Sequence, residues 1–115
     1  MADVDSALED GDAEQAVIAR FRLADDGFGA LGDRVTVREA QGMLTEAIER
    51  AGVGEFDGNE FGGGEVVLYA YGPDAGALFG VMEPTLRGLP FRPAHVVLRY
   101  GSASDPTVAE ERVEL

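Results

Sequence analysis

Residues 54–74, with the sequence GEFDGNEFGGGEVVLYAYGPD, decide the fold because they contain two strands, a turn and the start of a helix. The three glycines at 62–64 can take positive φ angles without steric cost, so they predict a turn. On either side of this turn we expect strands over about residues 54–60 and 65–71, which together form a hairpin. Residues 72–74, Gly-Pro-Asp, then predict a helix start, because the N–H that proline lacks has no partner in a first turn.

The segment before the hairpin predicts a strand, a loop and a helix. In residues 16–23, the apolar set Val17, Ala19, Phe21 and Leu23 alternates with Ile18, Arg20 and Arg22, which indicates a strand with one buried face. Residues 24–34 contain three Gly and three Asp and predict a loop. Thr36 and Glu39 form a capping-box pattern, which is typical of a helix start, and Gly52 is typical of a helix end. We therefore expect a helix that begins at Thr36 and ends at Gly52. Its inner face is an apolar stripe of Ala40, Met43, Leu44, Ala47, Ile48 and Ala51.

The segment after the hairpin predicts a second helix and a further strand. Pro84 lies within the helical pattern and predicts a kink or a restart of the helix there. Residues 88–93 read as a connector, residues 94–100 as a strand, and residues 111–115 as either a short fifth strand or a frayed helix. The inner face of the second helix is expected to consist of Leu78, Val81, Met82, Thr85, Leu86 and Leu89.

The order β-α-β-β-α-β is typical of a ferredoxin-like α+β sandwich. In that fold, two helices cover one face of a four-stranded antiparallel sheet, and a C-terminal strand would add a fifth. Residues 1–13 are acidic and rich in small side chains, so we expect a disordered leader there and a single α+β domain over residues 14–115. Such domains host many unrelated functions, so the fold alone does not predict an activity.

Composition limits the classes of function. Cysteine is absent, which excludes disulfides and thiolate metal sites. No apolar run approaches the ~20 residues of a membrane helix, and the acidic N-terminus lacks the basic start of a signal peptide. A cytoplasmic protein without membrane contact is therefore expected. The 22 acids against nine arginines give a net charge of −13, which repels nucleic acid and attracts basic partners.

A free sheet face is the first candidate site. If the helices cover the apolar side of the sheet, Tyr100 is expected on that buried side and six other side chains share the opposite face, namely Arg20, Arg22, Tyr69, Tyr71, His95 and Arg99. Tyr and Arg are enriched in protein contacts, so this face predicts a surface for a partner, a second copy or a small anion. Alternatively, the tyrosine rings and the aliphatic parts of the arginine side chains only cover the sheet and do not bind a partner. Binding of single-stranded RNA is not expected at this net charge.

The acidic loop is the second candidate site and contains Asp57, Glu60 and Glu65. Asp57-Gly58-Asn59 imitates the start of a calcium loop, but Phe61 and Leu68 stand where that motif needs oxygen ligands. The glycines at 62–64 lack the Lys and Ser/Thr of a phosphate-binding loop. We therefore expect a glycine-turned hairpin with exposed acids, no metal and no cofactor. The alternative is that the three carboxylates gather loosely around a divalent ion.

Catalytic residues are not predicted. His95 is the sole histidine, and no nucleophile is paired with it by a recognisable motif. A pair such as Asp57 and Glu60 has the chemistry for acid–base catalysis, so an enzyme built on the acidic loop stays an alternative.

Four strings of this sequence, residues 54–65, 68–75, 98–101 and 110–115, resemble a family of small uncharacterised bacterial proteins. The similarity covers most of the chain after about residue 16. It implies no activity that can be carried over. If residues 110–115 are a family element, the resemblance implies that they form an ordered strand instead of a tail.

Three hypotheses of function follow. The first is a non-enzymatic binding protein, such as an immunity protein or inhibitor that neutralises a basic toxin, because complementary charge speeds encounter and limits wrong partners. The second is a ligand-binding or regulatory domain that dimerises through the sheet face. The third is an enzyme that uses the carboxylates of the acidic loop.

Overall fold

A computed structural model describes residues 14–23, 31–102, 105 and 107–115 of the chain. They form two helices and a five-stranded antiparallel sheet: β1 (Gln15–Arg22), α1 (Leu31–Ala51), β2 (Glu55–Gly62), β3 (Glu65–Gly72), α2 (Ala75–Gly88), β4 (Ala94–Arg99) and β5 (Glu110–Glu114). The predicted α+β class is confirmed, and the C-terminal segment is a strand, so the sheet has five strands instead of four. The predicted leader, residues 1–13, lies outside the described residues.

The sheet has the order β2-β3-β1-β4-β5, and every neighbouring pair is antiparallel. The central strand β1 alternates as its sequence predicts. Val17 lies opposite Ala70 on β3 and Leu98 on β4, and all three are buried. Because side chains alternate between the two faces of a strand, this register collects the apolar residues of three strands on one face.

Both helices pack on that apolar face. The buried side chains of α1 are Val37, Ala40, Leu44 and Ile48, and those of α2 are Ala75, Leu78, Met82 and Leu86. All of them belong to one core cluster with the inward residues of β1, β3 and β4. The predicted stripe was wrong at Met43, which is 58% exposed, and at Ala51, which is also exposed. The buried residues of α1 lie three or four positions apart, which is a narrower arc than the predicted stripe.

The start of α1 was also predicted wrongly. The helix begins at Leu31, so residues 31–34 belong to it and not to a loop; residues 24–30 of the predicted loop lie outside the described residues. Thr36 is not a cap, since its hydroxyl donates to the carbonyl of Gly32 at 3.0 Å, one turn back inside the helix. The Arg34 guanidinium lies 4.9 Å from the centre of the Phe61 ring, which fixes this first part of α1 against β2.

Two side chains cap the start of α2. Asp74 is the N-cap and accepts a hydrogen bond from the Ala77 N–H at 3.1 Å. Gln15 of β1 accepts a second bond from the Ala75 N–H at 2.8 Å, which ties the helix to the central strand. Pro73 stands before the cap and not in the first turn, and the helix continues through Pro84 without a restart.

The hairpin of β2 and β3 has the predicted glycine turn. Gly63 and Gly64 have φ angles of 60° and 79°, as the two-residue turns preferred in hairpins require. β2 is not interrupted by residues 57–59, because a bulge between Phe56 and Gly58 absorbs the irregularity. Asp57 is therefore the extra residue of the bulge, and the predicted acidic loop is mostly strand.

Candidate functional site on the open sheet face

The face of the sheet opposite the helices, called the open face below, carries the second set of alternating side chains. The register places Ile18 between Tyr69 and Val97, and Arg20 between Val67 and His95. All six side chains predicted for a free face belong to it: Arg20, Arg22, Tyr69, Tyr71, His95 and Arg99. Within the described part of the chain, neither helix covers this face, since both pack on the other side.

The centre of the open face is apolar. Ala16 and Val67 are only 3% and 5% exposed, although they point away from the core. Ile18 and Val97 are half-buried beside them, as are Tyr69 and Tyr71. The accessible apolar surface of the face therefore comes from four half-buried side chains on its three inner strands, Ile18, Tyr69, Tyr71 and Val97.

Tyr100 was wrongly expected among the buried side chains. It follows the last residue of β4 and is 37% exposed. Its hydroxyl donates to the Glu111 carboxylate at 2.6 Å, which raises the pKa of the Tyr100 phenol, with a smaller contribution from burial.

Arginine–glutamate pairs surround the apolar centre of the open face. Arg20 contacts Glu65 at 3.0 Å and Arg99 contacts Glu110 at 3.2 Å. Arg112, which lies opposite Val97, contacts Glu114 on its own strand at 2.5 Å. These pairs are partly exposed, so they contribute little to stability. They do neutralise Arg20 and Arg99, two of the three arginines that the sequence suggested as contacts for an anion.

The hairpin side of the open face is held by two further contacts. Tyr69 donates to the Glu60 carboxylate at 3.2 Å. Burial, and then this hydrogen bond, raise the pKa of the Tyr69 phenol. Arg22 donates to the carbonyl of Gly63 in the turn at 3.1 Å. Tyr69 and Arg22 are therefore held in place by neighbouring residues.

His95 lines a shallow concavity on the open face. Partial burial, and then the charge of Arg112, lower the pKa of its imidazole, so His95 is neutral at neutral pH. The concavity has a volume of about 200 Å³ and is lined by Arg20, Arg22, Glu65, Pro93, His95, Arg112 and Glu114. This is less than the roughly 300–1,000 Å³ of typical ligand pockets. Its size suits an inserted side chain better than an enclosed cofactor.

The acidic residues do not form a site of their own. Glu60 is bonded to Tyr69, Glu65 is paired with Arg20, and Asp57 lies at the bulge. In the ranges that the structure describes, no three His, Cys, Asp or Glu residues are grouped so that they could hold a metal ion. The structure therefore does not gather Asp57, Glu60 and Glu65 into one set of ligands.

β5 supplies residues to two of the three ion pairs described above for this face. Glu110, Arg112 and Glu114 were not predicted to belong to it, because the structure of the C-terminal segment was left open. The alternation of Glu110, Arg112 and Glu114 with Glu111 and Val113 is a period-two signal, but it is too short and too polar to identify a strand.

Among the described residues, neither helix is long and apolar enough to cross a membrane. Comparisons of the chain with protein-family models, with curated proteins and with solved structures gave no match. What the protein does must therefore be inferred from the open face itself.

Proposed function

We propose that this protein is a non-enzymatic binding domain whose contact surface is the open face of its sheet. The observation that carries this proposal is an apolar centre, with Tyr69 and Tyr71, that is surrounded by arginine–glutamate pairs. Protein interfaces have this composition, with an apolar, aromatic-rich centre inside a polar rim. The order of the elements supports a ferredoxin-like sandwich, which β5 extends by one edge strand.

The edges of the sheet are poorer contact surfaces than its face. β2 is bulged and carries Glu55, Asp57 and Glu60. β5 has only five residues, and three of them are glutamates. Bulges, short edge strands and charged side chains are the features that prevent an edge from pairing with another strand. The open face is therefore the surface that supports binding best.

The proposal is tested by capturing partners from a native lysate with the full chain and identifying them by mass spectrometry. The variant Tyr69→Ala with Arg20→Ala removes one aromatic and one basic contact from the open face. Its control is Met43→Ala with Arg38→Ala, which removes one exposed apolar side chain and one exposed basic side chain from α1. We expect the first variant to lose its partner and the control to keep it, with circular dichroism confirming that both are folded. Equal capture by the wild type and both variants would reject the open face as the contact surface.

An immunity protein or inhibitor for a basic toxin is the second candidate, and the net charge of −13 favours it. In the described residues, each edge strand carries three acids: Glu55, Asp57 and Glu60 on β2, and Glu110, Glu111 and Glu114 on β5. A basic partner would contact these edges, and its complex with the chain would weaken steeply as salt is added. Captured partners that are not basic, or whose binding does not respond to salt, would exclude this candidate.

A further inference from the structure

We propose that the partner of the open face is a second copy of this chain, bound face to face. This inference rests on the proposed function and names the partner for the same surface. Three observations support it: the charge balance of the face, the area of the face, and the like charges that disfavour pairing of two chains through the β5 edge.

The charge balance of the open face suits self-association. A surface that binds itself cannot carry a large net charge, because the same charge would stand on both sides of the contact. The face holds four arginines and five glutamates, so its formal charge is −1 with His95 neutral, against −13 for the whole chain. Three of these arginines already lie within 3.2 Å of a glutamate. A site for a strongly basic protein would instead concentrate its acids on the contact surface.

The area of the open face also suits a contact between two copies of the chain. Five strands about 4.8 Å apart, with about six residues each and a rise of about 3.4 Å, give a flat area of roughly 500 Å². Two such faces in contact cover roughly 1,000 Å², and side chains that stand out from the sheet add to this. The contact therefore reaches the size from which a specific interface is expected.

Association through the edges is a weaker alternative for two copies. If two β5 strands pair antiparallel about Arg112, that side chain faces its own copy, and Glu110 faces Glu114 of the other chain. Like charges directly opposite each other are destabilising. Other registers of this short strand pair fewer residues, so a second copy is better placed on the face than at the β5 edge.

The salt dependence of binding distinguishes a second copy from a basic partner. Two chains of −13 repel each other through the acids that lie outside the face. At physiological ionic strength, salt screens this repulsion between charges that are more than about 8 Å apart. Salt does not weaken the apolar centre of the contact. The dimer is therefore expected to tighten as salt is raised, whereas a complex with a basic protein weakens.

The test is analytical ultracentrifugation of the full chain over a range of protein concentrations, in about 0.05 M and about 0.5 M sodium chloride. We expect a dimer whose dissociation constant is lower at the higher salt. Ile18→Arg places a charge at the centre of the face and should raise the dissociation constant on the order of tenfold or more. The control is Leu31→Arg, which introduces the same charge at a side chain that is 79% exposed on α1, and it should leave the dimer unchanged.

Val97→Thr is a second face variant, nearly identical in shape, which is used if Ile18→Arg does not fold. It should weaken the dimer several-fold, because it places a hydroxyl in the apolar contact. A chain that is monomeric at every concentration, a dimer that both face variants leave intact, or a dimer that weakens with salt would each overturn the inference. If the chain is monomeric but still captures another protein through Tyr69 and Arg20, the second copy is rejected and the proposed function stands.

Discussion

Gly54→Ala is expected to destabilise the protein strongly, because two backbones meet at this residue. Gly54 precedes β2 and has a φ angle of 150°. A Cβ atom added there would lie 2.2 Å from the carbonyl oxygen of Tyr71 and 3.0 Å from the Cα of Gly72. The end of β3, which delivers Tyr71 to the open face, is thus positioned by direct contact with the chain that enters β2.

The magnitude follows from the distance. Real Cβ contacts do not fall below 3.0 Å, so one of the two backbones must move by about 0.8 Å. Overpacking of this kind costs about 1–3 kcal/mol, and a backbone conformation that residues with side chains rarely adopt adds about 1–3 kcal/mol. The sum, roughly 2–6 kcal/mol, is a large part of the about 5–15 kcal/mol that stabilises a typical domain.

Urea unfolding followed by circular dichroism measures this loss. With a slope of about 1–3 kcal/mol per molar urea, the midpoint should fall by roughly 1 M or more. The matched control is Gly42→Ala, since a Cβ at this exposed position of α1 meets no heavy atom within 4 Å. Replacing a helical glycine by alanine should stabilise the protein by about 1 kcal/mol and raise the midpoint. If Gly54→Ala unfolds at the wild-type midpoint, the close contact between residues 54 and 71 is wrong.

Three further predictions concern the helices and the histidine. Asp74→Ala should cost about 1 kcal/mol in the free energy of unfolding, because the N–H of Ala77 loses its acceptor; an unchanged urea midpoint would show that the cap does not form. Leu44→Ala should cost about 2–5 kcal/mol in the same assay, whereas Met43→Ala should stay within about 0.5 kcal/mol, and equal losses would contradict the burial difference between these neighbours. The pKa of His95 is lowered below 6.5 in the folded chain, so its contribution to stability is fully present above pH 6.5 and is lost as the pH falls through the folded pKa. His95→Gln should therefore reduce the slope of the free energy of unfolding against pH in this range. An identical slope in both proteins would refute the lowered pKa.

The open face could be predicted because period-two alternation needs only local sequence. In β1, Val17, Ala19 and Phe21 occupy one face and Ile18, Arg20 and Arg22 the other, and strand geometry fixes this division whatever the neighbouring strands are. The same reasoning places Tyr69 and Tyr71 correctly on β3. Six side chains from three strands were therefore assigned to one surface before their pairing was known.

The ion pairs could not be predicted, because they depend on which strands become neighbours. Arg20 and Glu65 are 45 positions apart and meet only because β1 pairs with β3. Arg99 meets Glu110 only because the C-terminal segment forms β5. The start of α1 was missed for a different reason: Leu31 and Val35 are exposed, so the first turns of the helix carry no amphipathic signal.

The whole-chain charge is a poor guide to what the open face binds. Seven of the 22 acids, at positions 3, 5, 9, 10, 12, 25 and 26, lie outside the described residues. Most of the rest lie on the two edge strands and the two helices, and those on the face are offset by arginines. The electrostatic field of the whole chain controls how fast a partner approaches. The balance of positive and negative charges on the contact surface controls whether two surfaces are complementary. A basic partner should therefore associate more slowly as salt is added, and a second copy should associate faster, so the sign of this one rate change separates the two proposals.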